Sequence, residues 1–246
     1  MFGKKINQFS ALSPLQEKKT LHQNLEFTAT EQYKLLRANL TFTLEEGVKC
    51  PIIGIVSSMR GEGKSTTAVN LAYVLALDGK KVLLIDGDLR LPTLAKKLDL
   101  ENTFGVTDML INYDESKLDS FKSKVLDNWY VMPSGTIPPN PSELLGSTKM
   151  EKLLQNLSKQ FDYIILDLPP VNLVSDAIAV SPYITGMILV FRENYTQKKE
   201  LNNCVRLLKY SKVRVLGTVM NSAKREGRLY SKYKKYYRYY KEEQND

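Results

Sequence analysis

Histidine is nearly absent from this chain: His22 is the sole one among 246 residues, and it sits in a polar N-terminal stretch. That excludes triads built on an imidazole base and His-rich metal sites. Cysteine is almost as scarce. Cys50 and Cys204 have no metal-ligand spacing, so the expectation is two small, partly buried thiols in a reducing compartment. Long apolar runs are missing as well, which excludes a membrane-spanning helix, and Met1 to Leu21 lacks the apolar stretch of a secretory signal. The protein is therefore expected in the cytoplasm. What the chain does have is 43% hydrophobic residues, enough for a sizeable core in one large α/β domain with extensions. It also carries a net charge of +8, of which half belongs to the segment from Lys224 to Asp246. Nucleic acid and anionic membrane are possible partners of such a tail.

The most informative stretch runs from Ile52 to Asn70. Ile52 to Val56 is an apolar run of strand length, Ser57 to Thr66 is a glycine-containing loop, and Thr67 to Asp78 is mostly apolar at helical spacing. Backbone N–H groups in such a loop, together with the positive end of the next helix, form an anion cradle suited to nucleotide phosphates. Lys64 is placed to reach the β- and γ-phosphates, and the Ser65 hydroxyl to ligate Mg²⁺. The usual phosphate-loop pattern begins with glycine where this chain has Ser58.

Two more strands end in carboxylates. Lys81 to Ile85 leads into Asp86-Gly87-Asp88, and Phe161 to Leu166 leads into Asp167 and then Pro169-Pro170. Carboxylates at the C-terminal ends of strands lie where open α/β sheets place their sites. Alternation along extended chain sends Asp86 and Asp88 the same way. Metal ligation or proton acceptance is the expected role of that pair, with a capped turn as the alternative. An apolar strand closed by Asp167 suits a carboxylate that holds Mg²⁺ directly or through water.

Further strands are expected at Trp129 to Pro133, Gly186 to Phe191 and Val213 to Met220, with helices at Ser142 to Gln160 and Gln197 to Ser211. Alternation of this kind implies an α/β fold like that of the P-loop NTPases: a mostly parallel sheet with helices on both faces. Leu25 to Leu44 reads as a further helix, capped by Thr28 or Thr30, on which Glu31, Lys34 and Arg37 form one stripe. Spacing alone makes that stripe a solvated face. Beyond Leu229, Tyr230, Tyr233, Tyr236, Tyr237, Tyr239 and Tyr240 are interleaved with Lys and Arg and no aliphatic residue, the composition of a flexible tail. Basic residues among aromatics suit single-stranded nucleic acid. The phenols equally suit phosphoryl acceptance, each phosphate adding about −1.5 to −2 charges, and beside an ATP site that reading is preferred. The expected organisation is an arm at 1–27, a nucleotide-binding domain at 28–225 and the tyrosine-rich tail at 226–246.

Taken together, these motifs resemble those of the bacterial tyrosine kinases of capsular and exopolysaccharide assembly, in particular the separate cytoplasmic kinase chains of Gram-positive bacteria. The likeness runs from about Glu31 to the C-terminus. It rests on Ser57 to Thr66, on Leu83 to Arg90 with Pro92, on Ile164 to Asp167 with Pro169-Pro170, on Pro133-Ser134-Gly135 with Pro138 to Pro141, and on the tyrosine cluster. The family also has Ser or Ala at the place of Ser58. Related ATPases of cell division and DNA partition carry lysine at the place of Met59, which weighs against that alternative.

The resemblance implies a non-specific protein-tyrosine kinase that uses ATP and Mg²⁺ and autophosphorylates its terminal tyrosines in trans. Lys64, Asp86, Asp88 and Asp167 would be catalytic, with Asp86 orienting or deprotonating the incoming phenol. Met59, Arg60, Gly61, Glu62, Gly63, Lys64, Ser65 and Thr66 would cradle the phosphates, Asn221 would contact adenine, and Ser65, Asp88 and Asp167 would hold the metal. It turns the Glu31, Lys34, Arg37 stripe into a ring-forming subunit interface, although Lys34 stands where the family has arginine and lacks its forked contact. Arg60, often proline in the family, and Leu168, often threonine, are further departures that remove no phosphate or metal ligand. Expected partners are other copies of the chain, a membrane-anchored polysaccharide copolymerase that recruits it to the inner face of the plasma membrane, and a cognate tyrosine phosphatase. Nucleic acid is not an expected partner. The open alternatives are a partitioning-type ATPase that does not modify itself, and a nucleic-acid-binding module using the tail.

Overall fold

The computed structural model describes residues 27–101 and 104–222. The expected tail, with all six of its candidate acceptor tyrosines, and nearly all of the expected arm lie outside the described residues. Six strands form one sheet: β1 (Ile52–Ser57), β2 (Val82–Asp86), β3 (Trp129–Met132), β4 (Tyr163–Asp167), β5 (Gly186–Arg192) and β6 (Val215–Asn221). Their order is β3-β2-β4-β1-β5-β6, and every neighbouring pair is parallel. The five strands other than β6 are almost wholly buried, which is why they read as continuous apolar runs.

Side chains alternate between the two faces and build two cores. Ile53, Ile55, Val82, Leu84, Ile165 and Ile188 pack beneath α1 (Phe27–Thr43), α2 (Lys64–Leu77) and α3 (Leu94–Leu98). Ile52, Val56, Leu83, Ile85, Ile164, Leu166 and Leu189 face α4 (Val106–Ile111), α5 (Pro141–Leu145), α6 (Thr148–Leu157), α7 (Asp176–Val180) and α8 (Lys198–Tyr210). Helices cover both faces, as the alternating pattern predicts. Within α2, Ala68, Leu71, Ala72 and Leu75 are almost fully buried, and small residues let the helix lie close to the sheet.

Two boundaries differ from expectation. The helix after the phosphate loop begins at Lys64, three residues ahead of Thr67, because Gly63 adopts a left-handed φ of 99° and turns the chain straight into the first helical turn. The helix expected over Ser142 to Gln160 is two helices. Gly146 ends α5, and the Ser147 hydroxyl caps α6 by accepting the Met150 N–H at 3.3 Å.

Candidate active site

The order β2-β4-β1 brings the ends of three motif-bearing strands together. Asp86 and Asp167 face each other across β2 and β4, and Ile55 of β1 pairs with Asp167. The left-handed turn at Gly63 starts α2 beside these strand ends and directs Lys64 toward them. Lys64 Nζ donates to Asp88 Oδ2 at 3.2 Å, to Asp167 Oδ1 at 3.3 Å and to Ser65 Oγ at 3.4 Å. Burial pulls the lysine pKa down, but Asp167 and Asp88 outweigh it and hold the ammonium above its ordinary value. Asp167 is wholly buried, and that burial pushes its carboxyl up against the opposing pull of Lys64.

Asp167 Oδ2 is buried with no hydrogen-bond partner among the described residues. An orphaned carboxylate oxygen beside Asp88 and the Ser65 hydroxyl is a set of hard oxygen donors that fits Mg²⁺. Among the described residues no group of three or more His, Cys, Asp or Glu could hold a metal ion. Asp88, Asp167 and Ser65 are the residues that would hold Mg²⁺.

Asp86 and Asp88 differ in their surroundings. Asp86 Oδ2 accepts the Thr93 and Leu94 N–H groups, both at 2.9 Å, and Oδ1 accepts the Asp88 N–H at 3.3 Å. The carboxylate thereby caps the start of α3, while burial, reinforced by Asp167, pushes its pKa up to about 7. Asp88 accepts the Leu91 N–H at 3.1 Å through Oδ1 and turns Oδ2 to Lys64. Thr93 Oγ donates to Ser65 Oγ at 3.2 Å, a contact the sequence did not signal.

In the phosphate loop, Arg60 and Gly61 are exposed and Glu62 is wholly buried. Glu62 accepts the Met59 N–H at 2.9 Å. Lys97 Nζ reaches Thr66 Oγ at 3.4 Å. Asn221 lies against this loop: its Nδ2 donates to Glu62 O at 2.9 Å, and its Oδ1 accepts the Ser222 N–H at 2.8 Å. The α1 stripe is engaged within the chain. Glu31 pairs with Lys34 at 2.8 Å, and Arg37 reaches Asp78 at 2.9 Å and Val74 O at 3.2 Å, at the C-terminal end of α2.

A parallel sheet with a phosphate loop after β1 and carboxylates closing β2 and β4 defines a nucleotide-binding protein of the P-loop class. Residues 50–210 match the AAA domain family. Over 198 residues the chain is 39% identical to the tyrosine-protein kinase YwqD of Bacillus subtilis (strain 168), covering 79% of this chain and 81% of that protein. It is 33% identical over 212 residues to the putative tyrosine-protein kinase CapB of Staphylococcus aureus, covering 86% of this chain and 90% of CapB. The crystal structure of the chimerical protein CapA2B2 superposes with a TM-score of 0.73 at 34% identity, over 79% of this chain and 85% of that one. The chain belongs to the bacterial protein-tyrosine kinases of capsular polysaccharide assembly.

Proposed function

We propose that this kinase transfers the γ-phosphoryl group of ATP to Tyr230, Tyr233, Tyr236, Tyr237, Tyr239 and Tyr240 of a neighbouring copy. The phosphate-loop amides and Lys64 neutralise the triphosphate, and Lys64 follows the charge that develops as the γ-phosphoryl group leaves. Ser65, Asp88 and Asp167 would hold a Mg²⁺ ion, which when bound would supply positive charge to offset that of the phosphates. A phenol titrates near 10, so its proton must be drawn off as it attacks. Asp86, raised to about 7 by burial, is the assigned acceptor, and its bond to the Asp88 N–H, the longest of its three, is the one to yield. Asn221 is assigned to the nucleobase side of the loop.

The observation that carries this reading is the convergence of Lys64, Asp88 and the partnerless Asp167 Oδ2 at the start of α2. The chain would assemble into a ring through Glu31, Lys34 and Arg37, exchanging their internal partners for a neighbour's charges. Phosphorylated tails would load negative charge onto that ring and favour its dissociation, and a tyrosine phosphatase would reset it. Among the described residues no helix is long and apolar enough to cross a membrane, so membrane recruitment falls to an anchored copolymerase, through which the kinase would regulate capsule or exopolysaccharide synthesis and export.

Mass spectrometry of the purified chain after incubation with Mg-ATP, beside Lys64→Met, tests the proposal. Phosphate on the terminal tyrosines of the wild type alone supports it. A wild type left unmodified, even with the activating copolymerase's cytoplasmic segment supplied, overturns it.

A further inference from the structure

An anion cradle works only while its N–H groups face inward, and its carbonyls then point outward and need donors of their own. Three consecutive carbonyls of the loop each receive one from a distant side chain. Tyr195 Oη donates to Arg60 O at 3.1 Å, Arg192 Nη1 to Gly61 O at 3.4 Å, and Asn221 Nδ2 to Glu62 O at 2.9 Å. Beneath them the buried Glu62 carboxylate accepts from Ser58 Oγ at 2.7 Å, from the Met59 N–H at 2.9 Å and from Thr196 Oγ at 2.5 Å. The Thr196 hydroxyl also accepts the Arg192 N–H at 2.8 Å, which closes the turn after β5, and the Arg192 guanidinium lies over the Tyr195 ring, 5.1 Å from its centroid.

From this geometry we propose that Glu62 and the turn carrying Arg192, Tyr195 and Thr196 are positioning residues, a brace that holds the phosphate loop in its anion-binding form. A carboxylate buried under a phosphate site repels the ligand electrostatically. What Glu62 supplies is therefore geometry: it gathers two hydroxyls and one amide onto one rigid acceptor, in charge-assisted bonds of the stronger kind. Gly61 fits the same scheme. Its φ is 80°, which strains any side chain, and a Cβ there would stand 2.9 Å from Tyr195 Oη, so a larger residue would push that hydroxyl off the Arg60 carbonyl.

This inference rests on nucleotide binding at the loop and not on tyrosine as the acceptor. Mg-ADP affinity, measured by calorimetry on the full chain, therefore separates the two: a chain that binds nucleotide but phosphorylates no tyrosine leaves the brace standing and removes the kinase reading. Thr196→Val deletes the donor to Glu62, a bond to a charged group, and is expected to weaken Mg-ADP about tenfold. Thr196→Ser, which keeps the hydroxyl, should bind within about twofold of the wild type. Where phosphoryl transfer is measurable, the valine variant should raise KM for ATP more than it lowers kcat. Thermal midpoints are recorded for each variant, and Tyr195→Phe provides a surface variant that keeps the ring should the valine chain fail to fold. Undiminished Mg-ADP affinity in folded Thr196→Val, or in Tyr195→Phe if that variant has to stand in, overturns the brace. Equal loss in the valine and serine variants overturns it too.

Discussion

The Arg90 guanidinium grips Asp176 with two parallel bonds, Nε to Oδ2 at 2.9 Å and Nη2 to Oδ1 at 3.0 Å, across 86 residues of chain. Ser142 Oγ donates to the same carboxylate and accepts from Arg90 Nη2 at 3.1 Å. The segment after Asp88 is thus tied to the starts of α5 and α7. The two partners are unequal: the Arg90 side chain is 40% exposed and that of Asp176 is 0% exposed. Removing the arginine strands a buried carboxylate, whereas removing the aspartate frees an arginine that water can solvate. Arg90→Met is therefore expected to cost about 2–3 kcal/mol, and Asp176→Asn less, since the amide keeps one acceptor for the fork. Denaturant unfolding of both variants checks the ranking.

Lys64 stands between two carboxylates, so replacing it has a consequence for folding as well as for activity. Phosphoryl transfer by Lys64→Met is expected to fall by about 10²–10³. Asp167 then lies buried without its cation, and its folded pKa rises further above the unfolded value. The folded state holds a proton that the unfolded chain has released, so the variant loses stability as pH rises from about 4 toward its new pKa. The deficit relative to wild type should be small at pH 5 and approach about 3–5 kcal/mol at pH 8. Urea titrations at the two pH values read this directly, and an equal deficit at both would contradict it.

Cys50 and Cys204 are both buried thiols whose pKa burial pushes up to about 12, with Asp162 adding to the first and Glu62 to the second. Since the thiolate is the reactive form, such a shift leaves about a thousandth of the usual thiolate at pH 8. A disulfide reagent should therefore label the native chain about 10²–10³ times more slowly than the chain in denaturant. The folded state also keeps two protons that the unfolded state loses near pH 9, so stability is expected to decline as pH climbs from about 9 to 12.

How far the sequence could be read follows from the range of the interactions. β1, the phosphate loop and α2 form one contiguous run whose apolar pattern and glycines carry their own instructions, and the sheet follows from similar runs at β2, β4 and β5. The break at Gly146-Ser147 was written there too, as a helix-ending glycine beside a capping serine, but the apolar spacing on either side hid it. Glu62 is different in kind. A glutamate between two glycines carries no local sign of burial, and its burial involves Thr196 in a turn 134 residues away. The same holds for Arg90, whose partner Asp176 sits at the start of a short helix with no motif of its own. Arg37 looked like part of an open stripe because Asp78, its acceptor, lies just past the end of another helix, 41 residues on.

Gly63 couples two constraints that a double substitution can separate. Its φ of 99° is costly for any side chain, by about 1–2 kcal/mol, and a Cβ at this position would stand 1.7 Å from Asn221 Nδ2. Gly63→Ala must therefore push Asn221 away, breaking its bond to Glu62 O, or turn the loop out of its cradle form. Either way nucleotide affinity is expected to fall by about tenfold to a few hundredfold, from backbone strain and the lost hydrogen bond together. In the chain that also carries Asn221→Ala the clash is gone while the φ cost stays. That double variant should recover part of the affinity lost by Gly63→Ala, remaining weaker than Asn221→Ala alone by about the tenfold that backbone strain imposes. A double variant no better than Gly63→Ala would show that the left-handed turn, and not the contact with Asn221, is what demands glycine.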